Sequence, residues 1–342
     1  MLPWRRSLLE RGECFGSGEL AESDHHPTMT RQTDPYTRSP GVVLLLRMTR
    51  PGFLVITVIA CLLGLSSAAA CGCGFDGLRA VGTVALAVLA HAAANGLNDY
   101  EDARNGADAA NTEGLFPFTG GARLIQNGAV TAADTRRLAA ALLLVLVPGG
   151  FLLAFHSGGG LVLVGIAGLA LGWAYSSPPL QLMSRGLGEL AVAAAWWLVV
   201  IGADYSQRGQ FFVIPASVGL GYGLLVANIL LINGLPDARA DAAVGKRTLA
   251  VRLGPTGAAL LFAWLALLAH GWLALSVWLL IPPVAALGGL VSAPLSAAAA
   301  VLMWRRRHTP SRLRPAIVLS IGAASLHGLG MAAGFLSMAL RG

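Results

Sequence analysis

The chain is poor in charged residues. Only 12% of its 342 residues are Asp, Glu, Lys or Arg, about half the share found in an ordinary soluble domain. Acids number 17, and Lys246 is the only lysine. This composition excludes a typical soluble domain, and it makes any place where carboxylates gather worth explaining.

Several familiar signals are also absent. No G-x-x-x-x-G-K-[ST] loop occurs, so nucleotide hydrolysis has no support. The polar first 40 residues contain no apolar core of the signal-peptide kind. Of the four cysteines, only Cys71 and Cys73 are close in sequence, and no histidine or second pair lies near them. Neither a metal site nor a disulfide is therefore favoured at this pair.

Apolar sequence fills most of the chain, which is 55% hydrophobic. Nine runs approach the length that crosses a hydrocarbon core of roughly 30 Å. We predict an all-α, polytopic membrane protein with nine transmembrane helices, embedded in a lipid bilayer. The predicted spans are 52–70, 79–98, 138–155, 160–175, 187–203, 211–233, 256–280, 282–303 and 315–338.

The net charge of +7 reflects arginines between these runs, so no nucleic-acid partner is expected. All cations except Arg79, Arg208 and Arg341 precede the first span or lie in even-numbered loops. Positive residues favour the cytoplasmic side. We therefore expect a cytoplasmic N-terminus and an outside C-terminus, in what would be a bacterial inner membrane.

The N-terminal region, residues 1–46, is polar and mixed in charge, and we predict it to be a disordered extension. The membrane domain is predicted to span 47–342. Met29 is a candidate start, which leaves residues 1–28 as either an extension or an artefact of start assignment.

The first acidic cluster closes the second apolar run with the sequence NGLNDYEDARNGAD, from Asn95 to Asp108. Asn95, Asp99 and Asp102 are spaced i, i+4, i+7, which places them on one face of a helix. Asp108 follows Gly106, where we expect the chain to turn. Such oxygen-rich clusters suit Mg²⁺, which keeps several waters and pairs carboxylates with substrate phosphates.

A second cluster closes the sixth run with the sequence NGLPDARADAAVGKR. Asn233, Asp237 and Asp241 share a helical face, and Lys246 and Arg247 follow them. One such cluster could be merely solvated, but two clusters on the predicted cytoplasmic side are expected to converge. Facing carboxylate pairs can hold Mg²⁺ ions that clamp a diphosphate and make it a better leaving group. A membrane site leaves room for an isoprenoid tail, so the features predict transfer from a polyprenyl diphosphate.

At these residues the sequence resembles the UbiA superfamily of intramembrane prenyltransferases. Asn98-Asp99-Tyr100-Glu101-Asp102 with Gly106-x-Asp108 is similar to the form found in 1,4-dihydroxy-2-naphthoate polyprenyltransferases. Asp237-x-x-x-Asp241 with Gly245-Lys246 is similar to the second motif of the family. The resemblance implies nine helices around a central cavity, a cytoplasmic cap, Mg²⁺ dependence and an aromatic acceptor, with 1,4-dihydroxy-2-naphthoate in menaquinone synthesis as the leading one.

The resemblance also implies residue roles. The carboxylates assigned to metal binding and catalysis are Asp99, Asp102, Asp237 and Asp241, and Asp108 either joins the first metal set or shapes its loop. The residues assigned to substrate binding are Asn95, Asn98, Arg123, Arg185, Lys246 and Arg247. Tyr175 either flanks the allylic cation with its ring or packs in the core. Arg185 and Glu189 are candidates for a structural ion pair.

Two alternatives stay open from the sequence. The acceptor could instead be 4-hydroxybenzoate, homogentisate, a chlorin, haem or a lipid alcohol, because Leu235-Pro236 departs from the Arg-Asp form of the second motif in dihydroxynaphthoate enzymes. A cation-coupled transporter is the more remote interpretation. Transporters place such groups near the bilayer midplane, whereas both acidic clusters here lie at the ends of apolar runs on one predicted side. The oligomeric state and the prenyl chain length are not determined by the sequence.

Overall fold

The structure, a computed structural model, describes residues 41–341. In this part of the chain all regular secondary structure is helical, as predicted. The α-helices are α1 (Val42–Met48), α2 (Pro51–Ala69), α3 (Gly77–Asn105), α4 (Ala107–Ala110), α5 (Ala132–Ser157), α6 (Gly160–Ser176), α7 (Gly188–Arg208), α8 (Val213–Ala243), α9 (Leu249–Trp278), α10 (Ala293–Arg306) and α11 (Arg314–Ala339). Three 3₁₀ helices span Leu182–Arg185, Val284–Ser292 and Pro310–Arg312. Of the predicted extension, residues 1–46, only residues 41–46 are among the described residues, and α1 begins within them.

The membrane architecture is supported by eight helices that are long and apolar enough to cross a bilayer. They are α2, α3, α5, α7, α8, α9, the stretch Val284–Arg306, and α11. The remaining predicted span corresponds to α6, which has 17 residues and is shorter than these eight. The prediction of a polytopic helical membrane protein is confirmed, while the count of nine spans stays a prediction.

Helices α3 and α8 both run beyond their apolar segments. The apolar runs were predicted to end at residues 98 and 233, but α3 continues to Asn105 and α8 to Ala243. Pro236 lies inside α8. Gly106 ends α3 with a φ of 82°, a left-handed conformation that glycine adopts without a Cβ clash. Both acidic motifs are therefore carried on helices rather than on loops.

Helix α8 lies at the centre of the bundle, and most of its apolar length is buried. Two glycines allow it to approach α7 closely. A Cβ on Gly219 would come 3.0 Å from the Val200 Cβ, and a Cβ on Gly223 would collide with the Ala193 carbonyl oxygen. Tyr222 is fully buried and donates a hydrogen bond to the Ile56 carbonyl at 2.6 Å. Small residues at close crossings thus order the helices around the central cavity, as is usual in membranes.

A buried polar cluster joins the start of α3 to the end of α7. Arg208 forms an ion pair with the fully buried Asp204, and its guanidinium stacks 3.7 Å from the ring centroid of Phe212. Nearby, Thr83 donates a hydrogen bond to Ser206 at 2.9 Å. We call Thr83, Asp204, Ser206 and Arg208 the distal cluster. It closes the end of the bundle opposite the acidic motifs.

One feature differs from the sequence-based expectations. Cys71 and Cys73, for which a disulfide was not favoured, are joined by one in the turn after α2. Elsewhere, His270 of α9 and His327 of α11 lie with ring centroids 5.1 Å apart, and both have a ring nitrogen near the Ser292 hydroxyl. Helix packing brings these two histidines together.

Candidate active site

A cavity of about 270 Å³ opens between α2, α3, α6, α7 and α8. Short segments from the regions 107–121, 182–188 and 244–248 line its mouth and form a cap. Of the residues predicted to form the site, those lining the cavity are Asn95, Asn98, Asp102, Asp108, Tyr175, Asp237, Asp241 and Lys246. The two acidic motifs, more than a hundred residues apart, thus meet at one cavity.

Lys246 joins the two motifs. Its Nζ lies 2.9 Å from an Asp102 oxygen and 3.2 Å from an Asp241 oxygen, and its side chain is only 7% exposed. Burial lowers the pKa of the ammonium, but the charges of Asp102 and Asp241 outweigh burial and raise that pKa overall. Lys246 therefore stays charged and links the two motifs, whereas the sequence assigned it to substrate binding.

Asp102 is the most heavily coordinated carboxylate of the first motif. Besides Lys246, it accepts hydrogen bonds from Asn98 Nδ2 at 3.1 Å and from Asn105 Nδ2 at 3.2 Å. Asn95 takes a different partner, since its amide donates to the Thr49 carbonyl at 3.0 Å. The three donors fix the Asp102 carboxylate at the cavity wall.

Asp99 does not line the cavity, and it forms an ion pair with Arg50. Burial lowers the pKa of the Arg50 guanidinium, but its bond to Asp99 more than compensates, and the pKa is raised. Arg50 itself lines the cavity. The helical spacing correctly put Asp99 near Asp102, but the structure gives Asp99 an arginine partner instead of a place on the cavity wall.

Asp108 lies beneath the Gly120-Gly121 turn, where both glycines have a φ near 70°. A Cβ on Gly121 would meet an Asp108 oxygen at 2.8 Å, so the close approach requires glycine. Burial raises the pKa of the Asp108 carboxyl to about 7, and the nearby charge of Asp102 adds to the effect. The turn thereby places a buried carboxyl at the cavity mouth.

Asp237 is held by the loop that follows α4. It accepts hydrogen bonds from Asn111 Nδ2 at 2.6 Å and from the Gly120 backbone N–H at 3.0 Å. Asn111 Oδ1 is buried with no hydrogen-bond partner among residues 41–341. Asp237 of α8 and Asn111 of the loop thus both present oxygens to the same cavity.

Three predicted substrate-binding arginines lie outside the cavity wall. Arg123 donates to the Asn111 carbonyl at 3.0 Å, and its guanidinium stacks 4.8 Å from the Phe116 ring centroid. Arg185 donates to the Pro179 carbonyl at 2.7 Å, so its expected ion pair with Glu189 is not formed. Arg247 is exposed. All three brace or border the cap.

The inner end of the cavity is apolar and aromatic. His91 and Trp196 meet edge to face with ring centroids 4.9 Å apart, and His91 Nδ1 lies 2.8 Å from the Thr57 hydroxyl. Tyr175 and Glu189 also line the wall. Arg50, Asn111 and Glu189 are the site residues whose places the sequence did not give. Arg50 directly precedes Pro51 and the first predicted span, and this Arg-Pro pair is the sequence signal that could have pointed to Arg50.

The donor set fits Mg²⁺ that arrives with a phosphate-bearing substrate. No cluster of three or more His, Cys, Asp or Glu side chains close enough to hold a metal ion occurs within residues 41–341. However, carboxylate and amide oxygens of both motifs line one cavity, and Asn233 Oδ1 is buried without a hydrogen-bond partner in the described chain. Mg²⁺ keeps several waters and commonly uses only one or two protein carboxylates together with substrate phosphates.

The helical bundle and the capped acidic cavity define a polytopic helical membrane protein with a polar binding site, and comparison with known proteins gives its family. The model of the UbiA prenyltransferase family matches residues 53–326. The chain belongs to this family.

Curated relatives include proteins named 1,4-dihydroxy-2-naphthoate octaprenyltransferase. The Haemophilus influenzae protein is 32% identical over 53% of this chain and 59% of its own length. The Mycobacterium tuberculosis protein is 32% identical over 65% of this chain and 73% of its own length. The Bacillus subtilis protein is 27% identical over 76% of this chain and 86% of its own length. The match to the first of these thus spans less than two thirds of that relative.

Solved structures show the same fold. A UbiA homolog from Archaeoglobus fulgidus, bound to DMAPP and Mg²⁺, aligns with a TM-score of 0.56 at 16% identity, over 84% of this chain and 98% of that chain. The apo UbiA homolog from Aeropyrum pernix K1 aligns with a TM-score of 0.58 at 18% identity, over 81% and 97%.

Proposed function

We propose that the protein transfers a polyprenyl group from a polyprenyl diphosphate to 1,4-dihydroxy-2-naphthoate in a Mg²⁺-dependent reaction. The observation that carries this proposal is the pairing of Lys246 with Asp102 and Asp241 at the mouth of one cavity. The names of the curated relatives support the acceptor, and the DMAPP and Mg²⁺ bound to the archaeal homolog support the donor and metal.

Asp102, Asp237 and Asp241 would hold Mg²⁺, with Asn98 and Asn233 nearby, and Asp99 would keep Arg50 in place. Bound Mg²⁺ would neutralise the diphosphate and make it a better leaving group. Lys246 would exchange a carboxylate contact for a phosphate oxygen, to which it donates charge-assisted hydrogen bonds. The apolar inner wall around Trp196 would exclude water from the allylic cation, and the ring face of Tyr175 would stabilise it.

The isoprenoid tail would lie in a second, apolar cavity of about 210 Å³ between α3, α5, α6 and α7. Ala195 lines both cavities, so the two adjoin. Glycines at 150, 165, 168 and 202 open this groove. With the site on the cytoplasmic side, as the arginine distribution favours, the C-terminus would lie outside.

The test uses the full chain purified in detergent or nanodiscs, with farnesyl diphosphate and a panel of hydroxyaromatic acceptors. We expect a prenylated product with 1,4-dihydroxy-2-naphthoate, and its loss when Mg²⁺ is chelated. Transfer to 4-hydroxybenzoate or homogentisate alone would reassign the acceptor. The absence of transfer to every acceptor, with the protein folded and the donor bound, would refute the proposal.

A further inference from the structure

We propose that Glu189 binds the hydroxyl group of the aromatic acceptor and takes its proton during prenyl transfer. This inference rests on the proposed function. Glu189 is the second residue of α7, it is 8% exposed, and it lines the site cavity. Val192 and Trp196, which follow at i+3 and i+7, line the same cavity. One face of α7 thus carries a carboxylate at the mouth and an aromatic ring deeper in.

The Glu189 carboxylate lacks a partner from elsewhere in the protein. Within residues 41–341 no cation pairs with it, and no other residue donates a hydrogen bond to it. Arg185, one turn earlier, donates to Pro179 instead. Buried carboxylates are costly unless they are paired or hydrogen-bonded, so this one is available to a ligand.

The two cations and the histidine that line the cavity have partners other than Glu189. Arg50 is paired with Asp99, and Lys246 with Asp102 and Asp241. His91 contacts the Thr57 hydroxyl and the edge of Trp196. Glu189 is therefore the one cavity-lining carboxylate, in the part of the chain that the structure describes, that lies outside both acidic motifs and their loop.

The space beside Glu189 suits a flat hydroxyaromatic ring. One side of the cavity carries the acidic motifs, and the other carries Phe53 and the His91–Trp196 pair. An aromatic ring gains from edge or offset contacts with such side chains. A ring lying there would direct one hydroxyl to Glu189 while a ring carbon faces the allylic carbon.

The reaction balances with Glu189 as a transient proton carrier. As the allylic C–O bond breaks and diphosphate leaves, a ring carbon forms the new C–C bond, and the adjacent hydroxyl gives its proton to Glu189. The ring is then a ketone with a saturated carbon. Loss of that carbon's hydrogen as a proton to solvent, or of its carboxylate as CO₂, restores an aromatic enolate. The enolate takes the proton back from Glu189, which is ready for the next turnover.

The central experiment compares Glu189→Gln with the unmodified full-length protein. We expect kcat for transfer to fall by about 10²-fold or more, the usual contribution of general acid–base catalysis. The KM for the prenyl diphosphate, and Mg²⁺-dependent binding of farnesyl thiodiphosphate measured by calorimetry, are expected to stay the same. Glu189→Asp is expected to recover part of kcat.

A second readout uses an acceptor whose hydroxyl is blocked as a methyl ether. The unmodified enzyme is expected to prefer the free hydroxyl strongly, and Glu189→Gln to lose that preference. Glu113→Gln serves as the control, because Glu113 is an exposed residue that pairs with Arg239 on the surface, and it should match the unmodified protein.

Three outcomes separate the hypotheses. A kcat in Glu189→Gln within threefold of the unmodified enzyme would overturn this inference. Equal loss of thiodiphosphate binding would also overturn it, because Glu189 would then belong to the metal and diphosphate end. If neither the unmodified protein nor Glu113→Gln transfers a prenyl group to any acceptor, the proposed function itself fails. That result is distinct from a failure of the Glu189 inference, in which the unmodified protein is active.

Discussion

The bundle carries two buried ion-pair clusters, one at each end, and helices α3 and α7 contribute to both ends. At the distal cluster, Arg208 meets a single acid, Asp204, through bonds of 2.6 to 2.9 Å. At the cavity, Lys246 is shared by Asp102 and Asp241. The side chains of Arg208 and Lys246 are equally buried, each 7% exposed. Burial therefore does not distinguish the two clusters.

The difference lies in the balance of charge and in open space. In the distal cluster one cation pairs with one carboxylate, and the cation packs against the ring of Phe212. The cavity end has more carboxylates than cations, and its spare oxygens face an open volume. In a closed, balanced pair each charge already has its counter-ion, whereas an open excess of carboxylates needs a cation from outside. The comparison thus separates a structural cluster from a functional one.

The largest effect on stability is expected from Asp204→Asn. It leaves the buried Arg208 charge without its counter-ion, which typically costs about 3–5 kcal/mol. Thermal or denaturant unfolding in detergent measures the loss. Asp204→Asn combined with Arg208→Met should recover much of it, and kcat per folded molecule should be close to that of the unmodified protein. A large loss of kcat with unchanged stability would contradict the assignment of this end as structural.

At the opposite end, Asp102→Asn is expected to affect catalysis more than folding. The substituted side chain still offers its amide oxygen as an acceptor to Lys246, but it loses the charge that would hold Mg²⁺. We expect transfer to fall by about 10²–10³-fold, the usual consequence of removing one preorganised electrostatic contact. Steady-state kinetics with farnesyl diphosphate measures this, with unfolding temperature as the control. Unchanged transfer would mean that the acidic cavity is not the reaction site.

Lys246→Gln tests the shared cation of the cavity. A charged hydrogen bond contributes about 1.5–3 kcal/mol, so the KM for the prenyl diphosphate should rise about 10- to 100-fold. Binding of the thiodiphosphate analogue by calorimetry provides an independent measurement. Should KM stay constant while the protein is destabilised, Lys246 would act only as a structural bridge, like Arg208 at the distal cluster.

Gly168→Phe tests the apolar groove beside the cavity. A Cβ on Gly168 would meet no atom within 4 Å, so the added ring can fill the groove without disturbing the helix. We expect KM for long prenyl diphosphates to rise about tenfold, with little change for dimethylallyl diphosphate. Gly271→Phe is the matched control, since Gly271 is exposed and outside the groove. Equal effects on short and long donors would contradict the tail assignment.

The sequence predicted the helical class and the meeting of the two acidic motifs, because apolar length and 3.6-residue spacing are local properties. It did not predict which cation meets which carboxylate. Asp99 is neutralised by Arg50, 49 residues earlier, and Asp237 is held by Asn111, 126 residues earlier. Those partners are determined by helix packing, which local spacing does not report. The same reason explains why Glu189 was paired with Arg185 from sequence but stands alone in the structure.

The smallest effect is expected from Arg247→Ala. Arg247 follows Lys246 directly and was assigned to the diphosphate on the same grounds, yet it is exposed and lies outside the cavity wall. Charges in water contribute little because solvent and salt screen them, so KM should change less than about fivefold. The measurement is the donor KM of Arg247→Ala beside that of Lys246→Gln. An effect as large as that of Lys246→Gln would mean that the cap closes over bound diphosphate and brings Arg247 into the cavity. Arg247 would then add its positive charge to this end of the bundle only when substrate is bound.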